Sequence, residues 1–313
     1  MNYVQPEISP EALASLKDVH NFVSNIVGEV YLVGGAVRDA LLFDEFHTYD
    51  FDFSTPLRPD AVEAAIEKAG YKPQTKGKMF GTVSFEVEDF RYEITTFRTE
   101  FYFPKNRKPQ VDFIDDIEAD LSRRDFTINA IAFDGENFID PYCGCDDIKT
   151  HVLRCIGEPK ERFMQDPLRM LRAGRFVSEL DFVADEKIEA ALMSCRKHVL
   201  DISKERISDE LDRIICSVHP AQGLCLLGDT GLIPYILPEA IFASLVVDGY
   251  ANLGKRLESL PGVPDTRWSA LFFFAGMAFS PDGDEGAALI AKQLAERVAF
   301  SLHWKKDRLQ NAE

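Results

Sequence analysis

The stretch YLVGGAVRDALLFDEFHTYDFDFST, residues 31–55, decides how this chain is read. An apolar run stops at Gly34 and Gly35, AVRDALL follows with helical spacing, and residues 49–55 alternate between polar and aromatic side chains. Glycine pairs punctuate elements and strict alternation marks a half-buried strand, so the order is strand, glycine turn, helix, strand. Residues two apart in a strand leave the same face, which projects Asp50 and Asp52 together and turns Phe51 and Phe53 toward a core. Two carboxylates held that close repel unless a cation lies between them. Mg²⁺ is the natural cation, because it favours carboxylate oxygens combined with substrate phosphates; two such ions about 3.5–4 Å apart clamp both oxygens of a phosphoryl transfer. Taken alone, the aspartate pair also fits the exposed face of an amphipathic strand.

The residues upstream favour the chemical reading. Gly34 and Gly35 allow backbone amides to approach a ligand closely, and the helix they open offers free N–H groups and a positive dipole end to phosphate. Arg38, one turn in, adds a bidentate phosphate donor. Together these residues describe a site for a nucleoside triphosphate with its metals. Glu93, in RYEITTFR, is either a third carboxylate of that cluster or a plain surface strand residue.

Working outward, residues 28–33 read as a buried strand, RPDAVEAAIEKAGY as a helix opened by Pro59 and Asp60, and GTVSFEVEDFRYEITTFR as a pair of hairpin strands. Residues 100–116 carry Pro104, Pro109 and three basic residues and read as a mobile loop. Strand signals stop at about residue 150, and only helical periodicity follows. The fold class is therefore α+β, a mixed head ahead of an all-helical remainder. In LSRRDFTINA (121–130), Arg123, Arg124, Asp125 and Asn129 form a polar rim on a buried support, or the N-terminus of a helix capped by Ser122 or Asp125. In RFMQDPLRMLRAGRF (162–176), Pro167 suits a first helical turn and Arg169, Arg172 and Arg175 line one stripe. That stripe is either a solvated face or, with Asp166, a set of fixed donors and acceptors for the edge of a base.

Composition sets bounds on these readings. With 313 residues and 46% hydrophobic content the chain can build more than one core. A net charge of −17 argues against a general nucleic-acid coat, although residues 154–175 hold six basic residues against three acidic ones. The six cysteines lack zinc spacing and read as reduced thiols. No leader and no apolar run of about 18 residues is found, so a cytoplasmic protein without a membrane segment is expected.

Taken in order, LVGGAVRDALL with DFDFST, TTFRTE, RRDFTINAIAFD with DPYCGCDDI, QDPLRMLRAGRF and ERISDEL resemble the class II tRNA nucleotidyltransferases, the CCA-adding enzymes, and their poly(A) polymerase relatives in the DNA polymerase beta superfamily. The resemblance covers about residues 28–215. It implies a polymerase-beta-like head over 1–145, a helical neck for nucleotide selection over 146–215, and a helical body with a short tail over 216–313. It further implies metal binding and catalysis by Asp50 and Asp52, with Glu93 beside them. Gly34, Gly35 and Arg38 would hold the triphosphate, and Arg123, Arg124, Asp125 and Asn129 the sugar and phosphates. Asp166 and Arg169, flanked by Arg172 and Arg175, would pair with the Watson–Crick edge of CTP or ATP. The implied cofactor is Mg²⁺ and the implied partner a tRNA acceptor arm. The selection motif of that family usually opens Glu-Asp, whereas this chain has Gln165-Asp166. The segment at Pro104–Pro109 would act as a lever between C and A addition.

Overall fold

The computed structural model describes residues 2–44, 48–101, 110–237, 249–279 and 284–302. The chain divides into two compact units, Met1–Thr150 with Arg154–Ile156, and His151–Leu153 with Gly157–Glu313.

The first unit is built on a seven-stranded sheet with strands β1 (Tyr3–Val4), β2 (Tyr31–Val33), β3 (Asp50–Thr55), β4 (Thr82–Val87), β5 (Phe90–Thr96), β8 (Ala132–Phe133) and β9 (Phe138–Ile139), in the order β1-β9-β8-β2-β3-β5-β4. Only β3 and β5 run parallel; the other neighbours are antiparallel. Helices α1 (Pro10–Val27), α2 (Gly35–Phe43) and α3 (Pro59–Lys68) join them. Ser9 starts α1 by accepting the Ala12 N–H at 3.1 Å, and Pro10 occupies the first turn, where its missing N–H costs nothing. Alternation along β3 sends Phe51 and Phe53 into the core at 2% and 1% exposure. There the rings of Phe51, Tyr92, Phe85 and Phe22 form a chain of contacts, which seats α1 on that face of the sheet and leaves the opposite face to Asp50 and Asp52.

Residues 100–116 depart from the expected loop. Strands β6 (Arg98–Phe101) and β7 (Gln110–Phe113) pair antiparallel as a two-stranded ribbon. The alternation of Val111 and Phe113 around Asp112 is a strand signal that the neighbouring prolines obscured. Residues 102–109, with the proposed lever at Pro104–Pro109, lie outside the described residues. Helix α4 (Ile117–Ser122) also corrects an expectation: Ser122 and Asp125 do not cap a helix start, since Asp116 is the N-cap and Arg123 follows the helix end. Helix α5 (Gly144–Thr150) begins where the Asp140 carboxylate accepts the Gly144 and Cys145 amides at 2.8 and 2.9 Å.

Among the described residues the second unit is helical apart from one parallel pair, β10 (Val152–Leu153) with β11 (Val183–Ala184), two residues each and too short to leave a periodic signal. Its helices are α6 (Pro159–Gln165), α7 (Leu168–Leu180), α8 (Glu186–Cys195), α9 (Lys204–Cys216), α10 (Pro220–Asp229), α11 (Ile233–Ile236), and three more at Tyr250–Glu258, Pro264–Phe279 and Asp284–Leu302. Helices α6 and α7 are separated because Pro167 biases Asp166 to extended backbone (φ −139°, ψ 101°). Helices α7 and α10 cross closely, and a methyl group on Gly223 would lie 2.4 Å from the Gly174 carbonyl oxygen. Buried Arg267 donates to the carbonyls of Ile215 and Ser217 at 2.7 and 2.8 Å, satisfying carbonyls that the C-terminal end of α9 leaves without helical partners. Among the described residues no disulfide joins any of the six cysteines. Among the described residues no helix is long and apolar enough to cross a membrane.

Candidate active site

In the first unit Asp50 and Asp52 lie on the open face of β3, and the parallel register sets Asp50 opposite Arg91 and Asp52 opposite Glu93. Register partners leave the same face, so Glu93 joins the aspartates, and its carboxylate forms an ion pair with Arg91. Crowding by protein raises the Asp52 carboxyl above the usual carboxylate range; Arg124 opposes the shift and Asp50 adds to it. Water still reaches the Asp52 side chain, so the cause is a partly shielded recess rather than complete burial. Glu93 is raised in the same way, by partial burial first, with Arg91 opposing and Asp52 and Asp50 adding. These carboxylates therefore lack sufficient positive charge from the protein itself.

Gly34 joins the turn to the carboxylates. It is the N-cap of α2 at φ 76° and ψ −136°, a conformation that residues with a side chain avoid. A methyl group there would lie 3.4 Å from both Arg124 Nη1 and Asp52 Oδ2, so turn, guanidinium and carboxylate converge on one spot. The N-terminus of α2, starting at Gly35, opens beside it.

Arg38 is buried and directed inward. Its Nε donates to Asp39 Oδ1 at 2.8 Å and its Nη1 to Asn129 Oδ1 at 2.9 Å. Asn129 in turn donates to Asp125 Oδ1 at 3.4 Å, and that oxygen accepts the Phe126 N–H at 2.9 Å. Arg124 donates from Nη1 to the Asn129 carbonyl at 3.2 Å, while its buried Nε has no hydrogen-bond partner among the described residues. Arg123 donates to Asp120 Oδ1 at 2.9 Å and to Glu100 Oε1 at 3.1 Å. Asp120 is completely buried and also accepts the Ser54 hydroxyl at 3.0 Å and the Arg98 N–H at 3.1 Å. It therefore ties β3, β6 and the arginine pair together. Asp120, Glu100 and Ser54 had escaped the sequence reading as site residues: Ser54 and Glu100 lie inside DFDFST and TTFRTE without a role of their own there, Asp120 lies outside the quoted motifs, and only the fold brings the three together.

In the second unit, Asp166 Oδ1 accepts the Leu168 N–H at 3.2 Å at the start of α7, and Asp166 Oδ2 lies 3.5 Å from Arg206 Nη2 of α9. Gln165 Oε1 accepts from Arg162 Nη1 at 3.2 Å and from Arg169 Nη1 at 3.4 Å. The arginine stripe is not a solvated face: Arg169 and Arg175 are 6% and 5% exposed. Arg172 lies over the Phe176 ring. Arg175 forms an ion pair with Glu210 at 3.3 Å and lies over the Phe176 ring with its Cζ 4.5 Å from the centroid. Burial lowers the Arg175 pKa and Glu210 opposes the shift. Arg206 and Glu210, one turn apart on α9, are the partners that sequence periodicity alone did not identify.

A mixed sheet carrying paired aspartates beside a glycine turn, followed by a helical unit, is the architecture of proteins with a poly(A) polymerase-type head. The "Poly A polymerase head domain" family model matches residues 30–154, and the "Probable RNA and SrmB- binding site of polymerase A" model matches residues 181–243. A CCA-adding enzyme of Geobacillus sp. (strain WCH70) is 40% identical over 292 residues, covering 90% of this chain and 70% of the relative. That of Lactobacillus helveticus (strain DPC 4571) is 40% identical over 206 residues, covering 65% of this chain and 50% of the relative. The crystal structure of the Bacillus stearothermophilus CCA-adding enzyme in complex with CTP superimposes with a TM-score of 0.67 at 28% identity, covering 97% of this chain and 82% of that one. The chain belongs to the CCA-adding enzyme family. It spans about half the length of several curated relatives that it matches.

Proposed function

We propose that this protein is a nucleotidyltransferase that adds C, C and A in turn to the 3′ end of tRNA, from CTP and ATP and without a nucleic-acid template, in the cytoplasm. The observation that carries the proposal is the convergence of Gly34, Asp52 and Arg124 at the N-terminus of α2. The head would correspond to residues 1–145, the selecting neck to 146–215, and the tRNA-holding body and tail to 216–313.

Asp50 and Asp52 fit a divalent cation by their chemistry, as oxygen donors on one strand face, with the Asp52 carboxyl raised by crowding and by Asp50 although Arg124 opposes the shift. Among the described residues no three His, Cys, Asp or Glu side chains form a complete cation cage, and Mg²⁺ ordinarily takes one or two carboxylates and fills its shell with substrate phosphates. When bound, Mg²⁺ would lower the negative charge facing the 3′-hydroxyl and the leaving pyrophosphate. Glu93 would hold Arg91 and add negative charge to the same face. The amides at Gly34 and Gly35 and the partnerless Arg124 Nε would receive triphosphate oxygens. Arg38 would act one step back, orienting Asn129 toward the sugar together with Asp125, while Arg123 stays locked to Asp120. Asp166 and Arg169 would present an acceptor and a donor to the edge of cytosine or adenine, with Gln165 orienting the guanidinium as a neutral acceptor. Arg172 and Arg175 support α7, Arg175 through Glu210. Positioning and fixed charge supply the rate.

The test is incubation with Mg²⁺ and labelled CTP or ATP, separately and together, on tRNAs ending before CCA, after C and after CC. Addition of C, C, A followed by a stop is the expected result. Addition of C alone or A alone would assign a partial transferase, and unlimited A a tailing enzyme.

A further inference from the structure

The register of the head sheet extends the face that carries the aspartates sideways. Asp52 lies opposite Glu93, Glu93 opposite Ser84, and Ser84 forms a bridge with Gln74; Asp50, Arg91 and Glu86 form the parallel row beside it. At about 4.8 Å per strand, Gln74 is about 14 Å from Asp52 along the sheet. At its end lies a recess of about 610 Å³ lined by Lys72, Gln74, Thr75, Lys76 and Glu86.

Two features distinguish this edge from an ordinary lysine-bearing surface. Residues 68–85 contain four lysines and no acidic residue in a chain whose net charge is −17. The segment is also held in one shape. Gln74 and Ser84 exchange backbone hydrogen bonds at 2.6 and 3.1 Å, the Gly77 carbonyl accepts the Phe80 and Thr82 amides, and Lys78 is paired with Asp60 and Glu63. Lys78 is thus taken up by the fold, whereas Lys72 and Lys76 are exposed and make no ion pair among the described residues. Met79 beside them is 73% exposed.

We propose that this recess binds the sugar-phosphate backbone of the RNA strand whose 3′ end reaches Asp50 and Asp52. Lys72 and Lys76 receive phosphates about four stacked nucleotides upstream at about 3.4 Å each. Arg91, between recess and aspartates, lies along the same path. The inference rests on the nucleotidyl transfer proposed above, because that reaction places an RNA end at the aspartates. The two exposed lysines outweigh the one carboxylate of the lining, Glu86, and commit the occupant to a polyanion, and the shared sheet face makes it the substrate strand.

The experiment compares the affinity of a tRNA lacking CCA for the wild-type chain and for Lys72→Glu/Lys76→Glu, between about 50 and 200 mM salt. A second double variant, Lys17→Glu/Lys149→Glu on α1 and α5, makes the same change of charge elsewhere on the head. The expected result is a loss of affinity of about tenfold in the recess variant only. Its plot of log affinity against log salt should be shallower by about 1.4, as for two lost single-strand phosphate contacts. Equal affinity and slope in wild type and recess variant, or equal losses in both variants, would overturn the proposal. Nucleotide incorporation by the wild type on the same tRNA is scored in parallel. Its absence would refute nucleotidyl transfer, and the binding comparison would still decide whether the lysines contact RNA.

Discussion

Asp52 and Glu93 face each other across the parallel β3–β5 pair, and both carboxyls are raised above the usual range, first by crowding, with Asp50 adding to the shift at Asp52 and both aspartates adding to it at Glu93. A carboxylate kept there at neutral pH costs folding stability that a cation restores. Adding Mg²⁺ should therefore raise the Tm of the wild-type chain, while Asp52→Asn should start with an equal or higher Tm and gain nothing from Mg²⁺. Thermal unfolding with and without the ion checks this, and an equal gain in the variant would remove Asp52 from the metal site.

Gly34→Ala should destabilise the head by about 1–2 kcal/mol, because its backbone is held at φ 76°. The new methyl would also come into van der Waals contact with the Arg124 guanidinium and the Asp52 carboxylate and displace any ligand from the space between them. Chemical denaturation measures the first effect and nucleotide incorporation the second. A variant of wild-type stability and activity would mean that the turn relaxes without consequence.

Asp120 accepts from Ser54, Arg98 and Arg123 with no solvent exposure, so Asp120→Ala leaves buried donors and charge uncompensated. The expected loss is about 3–5 kcal/mol. Ser54→Ala removes one of the three contacts and should cost about 1 kcal/mol. Comparable losses for the two variants would contradict the central place given to Asp120.

These residues mark where sequence reading reached its limit. The alternation in DFDFST and the glycine pair already specify β3, the turn and α2, since both signals are local. Pro167 likewise announces the break between α6 and α7. The β6–β7 ribbon was obscured because prolines dominate its flanks, and β10 and β11 are too short to show any period. The burial of Arg169 and Arg175 depends on Gln165, Glu210 and Phe176, which helical spacing places near α7 only for the residues on α7 itself. Asp120 was invisible because two of its three partners, Arg98 and Ser54, are 22 and 66 residues away.

Arg169 receives its orientation from a neutral group, Gln165, at 3.4 Å. Gln165→Glu would make that hydrogen bond charge-assisted and hold the guanidinium more firmly. Selectivity for CTP and ATP over UTP and GTP, measured as kcat/KM for single additions, should stay equal or rise. Arg169→Ala should lower it about tenfold or more, as expected when a donor to a base edge is lost. Unchanged selectivity in Arg169→Ala would remove this residue from nucleotide choice.

The pH dependence of the head should carry the signature of Asp147. Its carboxylate is almost fully buried, accepts the Thr127 hydroxyl at 2.6 Å and pairs with Arg154. Burial raises its pKa, with the Thr127 hydrogen bond and Arg154 opposing. A carboxyl whose folded pKa lies above its unfolded value, near 3.8, binds its proton more tightly in the folded state. Its contribution therefore favours folding as pH falls through the folded pKa, and that contribution is lost as pH rises through it. Asp147→Asn cannot titrate but can still accept from Thr127. The Tm of Asp147→Asn minus that of the wild type should be largest where Asp147 is ionised in the folded protein and decrease steadily as pH falls through the folded pKa toward 3.8. Groups far from Asp147 cancel in that difference. A difference that grows as pH falls would mean that the Arg154 ion pair outweighs burial and that the folded pKa lies below 3.8.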